Sequence, residues 1–236
     1  MSCILLTVLI NRCLWVSITE QLTANSMLID KGVIEYVEQE ILPLYEGFDR
    51  AHSTDHVMAV VERSLAFATH YPVNYSMVYA IAAYHDIGLP EGRELHHINS
   101  ARLLREDERL REWFSESEIE VMAEAVEDHR ASSDHAPRSI YGRIVAEADR
   151  LIDSDLVMRR TVQYGLAHYP ELSPEGHWNR FCAHLDEKYA EGGYLRLWIP
   201  ESDNARRLAE LRQTIANPTL LRESFDRIFA EETANS

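Results

Sequence analysis

The adjacent residues His85 and Asp86 end an apolar run, Ala80-Ile81-Ala82-Ala83-Tyr84. Ile81 precedes His85 by four residues and Val78 by seven. In a helix that spacing puts the imidazole on the same face as side chains that seek burial. Burying an imidazole and a carboxylate is costly unless something pairs with them. A divalent cation pairs with both, because it takes neutral imidazole nitrogen and ionised carboxylate together. The arrangement recurs elsewhere. His56 shares a helical face with Val60, and Asp149 follows Val145 by four residues in Ile144-Val145-Ala146-Glu147-Ala148-Asp149. His96 opens the stretch His96-His97-Ile98-Asn99-Ser100-Ala101-Arg102-Leu103-Leu104, and His129 closes one that runs through Ile119, Met122 and Val126. Any one of these reads plainly as a hydrogen-bonded core side chain. Their repetition on separate apolar faces points instead to a shared metal site.

His56, His85, Asp86 and Asp149 form a set sufficient for one ion. His96 and His129 would complete a second site with Asp86 bridging, or would contact a bound phosphate. One ion is expected, because it needs only the first four residues, with two possible. The mixed nitrogen and oxygen donors suit Mn, Fe, Zn, Ni, Co or Mg without choosing among them. The chemistry such a set supports is hydrolysis by water, with Asp86, His96 and His129 as the catalytic groups. Anionic substrate would be held by nearby donors: His52, Arg130, Arg138 and Arg150, with Arg93 a further candidate. Each Arg has a plain reading as a surface or ion-paired residue. Arg130 stands out because it directly follows His129.

The order His, His-Asp, Asp resembles the HD-domain superfamily of metal-dependent phosphohydrolases. Residues 52 to 153 carry the resemblance most closely, through Asp55-His56-Val57, His85-Asp86-Ile87-Gly88 and Ala148-Asp149-Arg150-Leu151. The run His96-x3-Ser100-Ala101 is similar to the segment that carries an additional His in many members. The tail, with Glu187-Lys188 and Ala205-Arg206-Arg207-Leu208-Ala209, resembles the C-terminal helices of a compact, stand-alone bacterial branch that includes nucleotide pyrophosphohydrolases. The resemblance implies an all-α, HD-domain-like helical bundle with additional C-terminal helices, and a small phosphorylated substrate, most readily a nucleotide. Two departures matter. The nucleotidase and alarmone-hydrolase branches carry a Glu three residues after the Asp of the pair, where this chain has Leu89. The cyclic-dinucleotide branch carries a second His beside the fifth ligand and a Gly-Tyr-Pro signature, and this chain has neither.

The elements that must position these residues read as helices with short connections. The chain has 236 residues, 9 Gly and 8 Pro, with no sustained strand-like alternation. One helix is expected near Lys31 to Leu44. The next carries His56, with Thr54 as N-cap. Tyr71-Pro72-Val73-Asn74 turns into the His85 helix, and Gly88 to Gly92 breaks it beside the metal. Ser115-Glu116-Ser117-Glu118 caps the helix that ends at His129. Ala131 to Arg138 is a polar loop, and Ile140 starts the Asp149 helix. One helical domain is expected over 27–236, with a metal-binding core at 52–155 and C-terminal helices at 156–236. Residues 1–26 read as an N-terminal extension upstream of Met27. Met1 to Val16 is apolar, but too short and interrupted to span a membrane, and it lacks the basic start of a secretory signal.

A formal charge of −16 disfavours a nucleic-acid polymer as partner. No membrane partner is expected, and oligomeric state is not written in the sequence. Three cysteines at 3, 13 and 182, without ligand spacing, suit reduced thiols in the cytoplasm. Three functions fit: a metal-dependent phosphohydrolase, an HD-type di-iron oxygenase, and a non-catalytic metal-containing binding or regulatory protein.

Overall fold

A computed structural model describes residues 28–48 and 54–234. His52 and the 1–26 segment lie outside these residues. Among the described residues every regular element is helical and no strand occurs, as the all-α expectation requires. The chain divides into two compact units, one ending at Asp149 and one beginning at Arg150.

In the first unit the expected helix from Lys31 to Leu44 is broken into three pieces. Helix α1 spans Lys31–Tyr36, a wider helical turn follows over Val37–Ile41, and a tight turn runs over Leu42–Gly47. Pro43 has no N–H to donate back into an α-helix, so the regular ladder cannot pass through it. The Leu42 N–H reaches the Val37 carbonyl instead. This winding delivers Tyr45, which is 1% exposed, to the end of the next-but-one helix.

Helix α2 is Thr54–Ala68. Thr54 is itself helical, so it is not the cap before the helix. Helix α3, Tyr75–Tyr84, begins at Asn74, whose side chain accepts from the Ser76 and Met77 amides. Every residue from Ser76 to Tyr84 is buried. A helix apolar on all sides belongs in the middle of a bundle, and α3 packs against both α2 (above) and α6, Ile140–Asp149. It also packs against α5, Glu116–Glu127, and α5 in turn covers α4, His96–Glu106. Helix α5 opens with the expected capping box, in which Ser115 and Glu118 satisfy each other's amides. It closes at Glu127, so His129 sits just beyond the helix.

Three devices fix the end of α3, where His85 and Asp86 lie. The Tyr45 hydroxyl donates to the Ala83 carbonyl at 2.8 Å and accepts from the Asp86 amide at 3.3 Å. The Tyr84 and Tyr36 hydroxyls both donate to Asp107 Oδ2. Burial and the facing Asp107 carboxylate push both phenols up, Tyr36 to about 12, so both remain donors. The Gly88 amide donates to the buried Ser100 hydroxyl at 2.9 Å, linking the turn after Asp86 to α4.

The second unit contains α7 (Ser154–His168), α8 (Pro174–Lys188), α9 (Asn204–Ile215) and α10 (Pro218–Ala234). Helix α7 packs on α8 and α10. Arg159 ties α7 to α10 through Glu231 at 2.6 Å and Glu232 at 2.7 Å. Its remaining histidines pack against rings: His168 stacks on Tyr164 at 4.0 Å, and His177 lies 5.4 Å from Phe229. No helix among the described residues is long and apolar enough to cross a membrane.

Candidate metal centre

His56 projects from the first turn of α2, His85 and Asp86 from the turn closing α3, and Asp149 from the last residue of α6. These meet. His56 Nε2 lies 3.2 Å from Asp149 Oδ1 and 3.8 Å from Asp86 Oδ2. His85 Nε2 lies 3.3 Å from Asp86 Oδ2, 3.9 Å from Asp149 Oδ1 and 3.3 Å from His56 Nε2. On the other oxygen of the same carboxylate a second group forms. His96 Nε2 and His129 Nε2 lie 3.4 and 3.5 Å from Asp86 Oδ1, and 3.1 Å from each other. Asp86 is thus the shared member of two donor groups, and each of its oxygens faces one of them.

The donor chemistry fits divalent cations. Bonds of about 2.1 Å to one ion set neighbouring donors about 3.0 Å apart in octahedral geometry and about 3.4 Å apart in tetrahedral geometry. The separations here fall around those values. The tautomers agree as well. Nδ1 of His85, His96 and His129 is 2.7, 2.7 and 2.6 Å from the carbonyls of Ala82, Arg93 and Val126. A carbonyl only accepts, so each Nδ1 carries a proton, and Nε2 is the nitrogen turned inward, with a lone pair there whenever the ring is neutral. Two such lone pairs, on His96 and His129, then face each other at 3.1 Å. That contact is repulsive unless a cation or a proton lies between them. The carbonyl partners also fix the ring orientation, the usual support for a ligating imidazole.

The electrostatics point the same way. Burial opposes ionisation of Asp86, yet His85 and His129 hold its carboxyl well below the usual carboxylate range. Burial likewise opposes ionisation of Asp149, and the hydrogen bond and charge of His56 overcome it. Burial pushes His85 down, but Asp86 and Asp149 together lift it to about 9, so in the absence of a cation its Nε2 holds a proton that a bound cation displaces. Burial and the neighbouring His129 push His96 down to about 4. The carboxylates are therefore ionised ligands, and the cluster carries enough negative charge to hold a cation.

The basic candidates part company. Arg130 reaches back along α4: its Nε donates to Ser132 Oγ at 2.9 Å and its Nη1 to the Glu94 carbonyl and to His97. Arg138 is held by Asp128, the neighbour of His129. Its amide donates to Asp128 Oδ2 at 2.6 Å, and its Nε and Nη2 reach Asp128 Oδ1 at 3.0 and 2.8 Å. Nη2 also lies 3.2 Å from Glu127. Arg93 is exposed. Arg150 is buried and begins the second unit, outside the unit that holds the cluster.

Arg138→Ala separates two roles for that residue. Removing it strands a buried Asp128 carboxylate, which is expected to cost about 3 kcal/mol of stability. Denaturant unfolding beside steady-state kinetics reads the outcome. Unchanged stability with a raised KM would instead make Arg138 a substrate ligand.

Several contributors have roles that the sequence does not carry. Tyr45, Asp107 and Ser100 work through hydrogen bonds to distant backbone or hydroxyl groups, 38, 23 and 12 residues away respectively. Spacing along one helix cannot signal such contacts. His97 offered a weak signal, since it sits beside a candidate ligand.

Residues 54–152 match the family model described as HD domain. No curated protein and no solved structure matches the chain.

Proposed function

The chain carries an HD domain and belongs to the HD-domain superfamily, and from that premise we propose that it is a metal-dependent phosphohydrolase of a small phosphorylated metabolite. The observation that carries the reading is Asp86, one carboxylate shared by two converging His-containing groups. Divalent ions held there would supply a water that is nucleophilic near neutral pH and would neutralise phosphoryl oxygens. His56, His85 and Asp149 with Asp86 Oδ2 would hold one ion. His96 and His129 with Asp86 Oδ1 would hold the other. This geometry favours two ions over one.

The protein's own residues do the rest. Tyr45 and Ser100 keep the His85–Gly88 turn in place, so the two oxygens of Asp86 stay aimed at their separate partners. Arg130 is the basic side chain best placed to hold phosphate oxygens beside His96 and His129. The low net charge, −16, selects against long polyanions and for a substrate small enough to sit in a local positive field. A nucleotide is the substrate the family resemblance supports, and the cytoplasm is the compartment that the sparse, odd cysteines support. A di-iron oxygenase is the second reading, favoured by the same six-residue convergence. Activity without oxygen separates the two, because hydrolysis consumes none.

Elemental analysis with a phosphatase and pyrophosphatase screen across metals tests the proposal. Two metals per wild-type chain and one in His129→Ala are expected, with phosphate released anaerobically. One metal in both proteins would return His96 and His129 to phosphate contact. No phosphate release with any metal would overturn the hydrolase reading.

A further inference from the structure

A cavity of about 360 Å³ opens beside the second donor group, lined by His97, Ile98, Arg130, the Ser132–Ser133 pair and His135. Two of its walls lie one residue from candidate ligands: His97 follows His96, and Arg130 follows His129. The His96 and His97 rings stand edge to face with centroids 5.5 Å apart. The cavity is therefore one ring away from the point where His96 and His129 converge with Asp86.

Some of its donors are held in place and others are left over. A guanidinium only donates, so the 3.4 Å contact from Arg130 Nη1 to His97 Nδ1 makes that ring nitrogen the acceptor. The proton of His97 then sits on Nε2, as a free-standing donor. Arg130 is pinned through Nε by Ser132 and through Nη1 by the Glu94 carbonyl. Its Nη2 has no acceptor, and it has no carboxylate in ion-pair range, among the described residues. This sets it apart from Arg138, whose charge is met by Asp128 and Glu127. One acid of the cavity, the half-buried Glu127, is a carboxylate that Arg138 already engages. Asp134 lies exposed on the loop. The wall thus offers a fixed, unneutralised guanidinium, a ring N–H and two hydroxyls, all suited to a tetrahedral oxyanion.

We propose that this cavity seats a second phosphate of the substrate, held by Arg130 and His97, while the phosphate under attack lies at the Asp86 cluster. The proposal rests on the hydrolase reading for the first phosphate only, and it names the substrate class as a compound with two phosphates. These are either joined directly or carried on neighbouring atoms of a small body.

Calorimetric titration of orthophosphate into the full chain, freed of metal with a chelator, reads the subsite without catalysis. Wild type should bind, Arg130→Ala should lose binding, and His97→Ala should weaken it about tenfold, the size of one lost charge-independent donor. His97→Gln, which keeps an amide donor, should restore most of it, and helix content by circular dichroism should match wild type throughout. With metal added, kcat/KM should favour a diphosphate ester or a bisphosphate over the matching monophosphate. That preference should shrink at least tenfold in His97→Ala. A diphosphate-only preference assigns joined phosphates, and a bisphosphate preference assigns separated ones. Either supports the subsite. Equal kcat/KM for mono- and two-phosphate substrates, unaltered in His97→Ala, would overturn it and leave the hydrolase reading standing. Phosphate binding that depends on Arg130 and His97, with no hydrolysis of any ester, would keep the subsite and sink the hydrolase.

Discussion

Asp86→Ala is expected to strip both metals from the protein and to lower phosphate release by at least about a thousandfold, with helix content retained. The size follows from its position. Oδ2 faces His56 and His85 at 3.8 and 3.3 Å, while Oδ1 faces His96 and His129 at 3.4 and 3.5 Å. Losing this one side chain removes a ligand from both groups, and the bound cations would lose a carboxylate charge that offsets theirs. Electrostatic preorganisation of this kind is commonly the largest part of a rate enhancement, and each 1.4 kcal/mol lost is about tenfold in rate. Asp149→Ala should be milder, because it reaches only the His56–His85 group, and it should leave the His96–His129 ion bound. Metal content per chain, read beside activity, separates the two variants. Equal residual metal and activity in both would show that Asp86 is not shared. The overall fold should survive Asp86→Ala because the backbone at that point is held by Tyr45 and by the Gly88–Ser100 bond, neither of which uses the carboxylate.

What the sequence makes legible depends on the kind of signal each residue leaves. His56 and Asp149 stand at a fixed offset from apolar neighbours on their own helices, His85 and His129 continue that spacing just past the ends of theirs, Asp86 follows His85, and His96 opens α4. Helical periodicity alone could therefore aim them inward. The structure brings all six to one place. Capping chemistry was equally local: Asn74 and the Ser115–Glu118 box start their helices where the sequence puts them. The segment from Lys31 to Leu44 reads as one helix, but the structure ends the α-helix at Tyr36 and winds the chain through a wide and a tight turn around Pro43. The role of Tyr45 exists only because the chain leaves the α-helical path there. Arg138 shows a different limit. A cation near a His in sequence looks like a substrate ligand, and only the fold reveals that Asp128, ten residues earlier, already holds it. Sequence proximity identifies charge, whereas the partner that spends that charge is a tertiary fact.

Gly88→Ala is expected to cost about 2–4 kcal/mol and to disconnect His96 from the cluster. The backbone at Gly88 is ordinary, with φ −82°, so the requirement is space and not conformation. A Cβ there would lie 2.5 Å from the Ser100 amide nitrogen, 2.6 Å from the His96 carbonyl oxygen and 2.7 Å from Asn99 Cβ. Two of these are backbone atoms of α4, which cannot turn aside as a long side chain would. Helix α4 must retreat, and two things go with it: the bond from the Gly88 amide to the Ser100 hydroxyl, and the first turn that carries His96. Ser100→Ala supplies the control. It strands the buried Gly88 amide without forcing the backbones apart, so it should cost about 1–2 kcal/mol and leave two metals bound. Gly88→Ala should show the larger loss by denaturant unfolding and should retain only the ion held by His56, His85 and Asp149. If Gly88→Ala keeps two metals while Ser100→Ala loses one, the hydroxyl and not the close approach of the two backbones is what places His96. The short sequence His85-Asp86-Ile87-Gly88 then has a physical reading as a unit: its first two residues hold the ions, and its last lets the helix bearing the next ligand come close enough to share them.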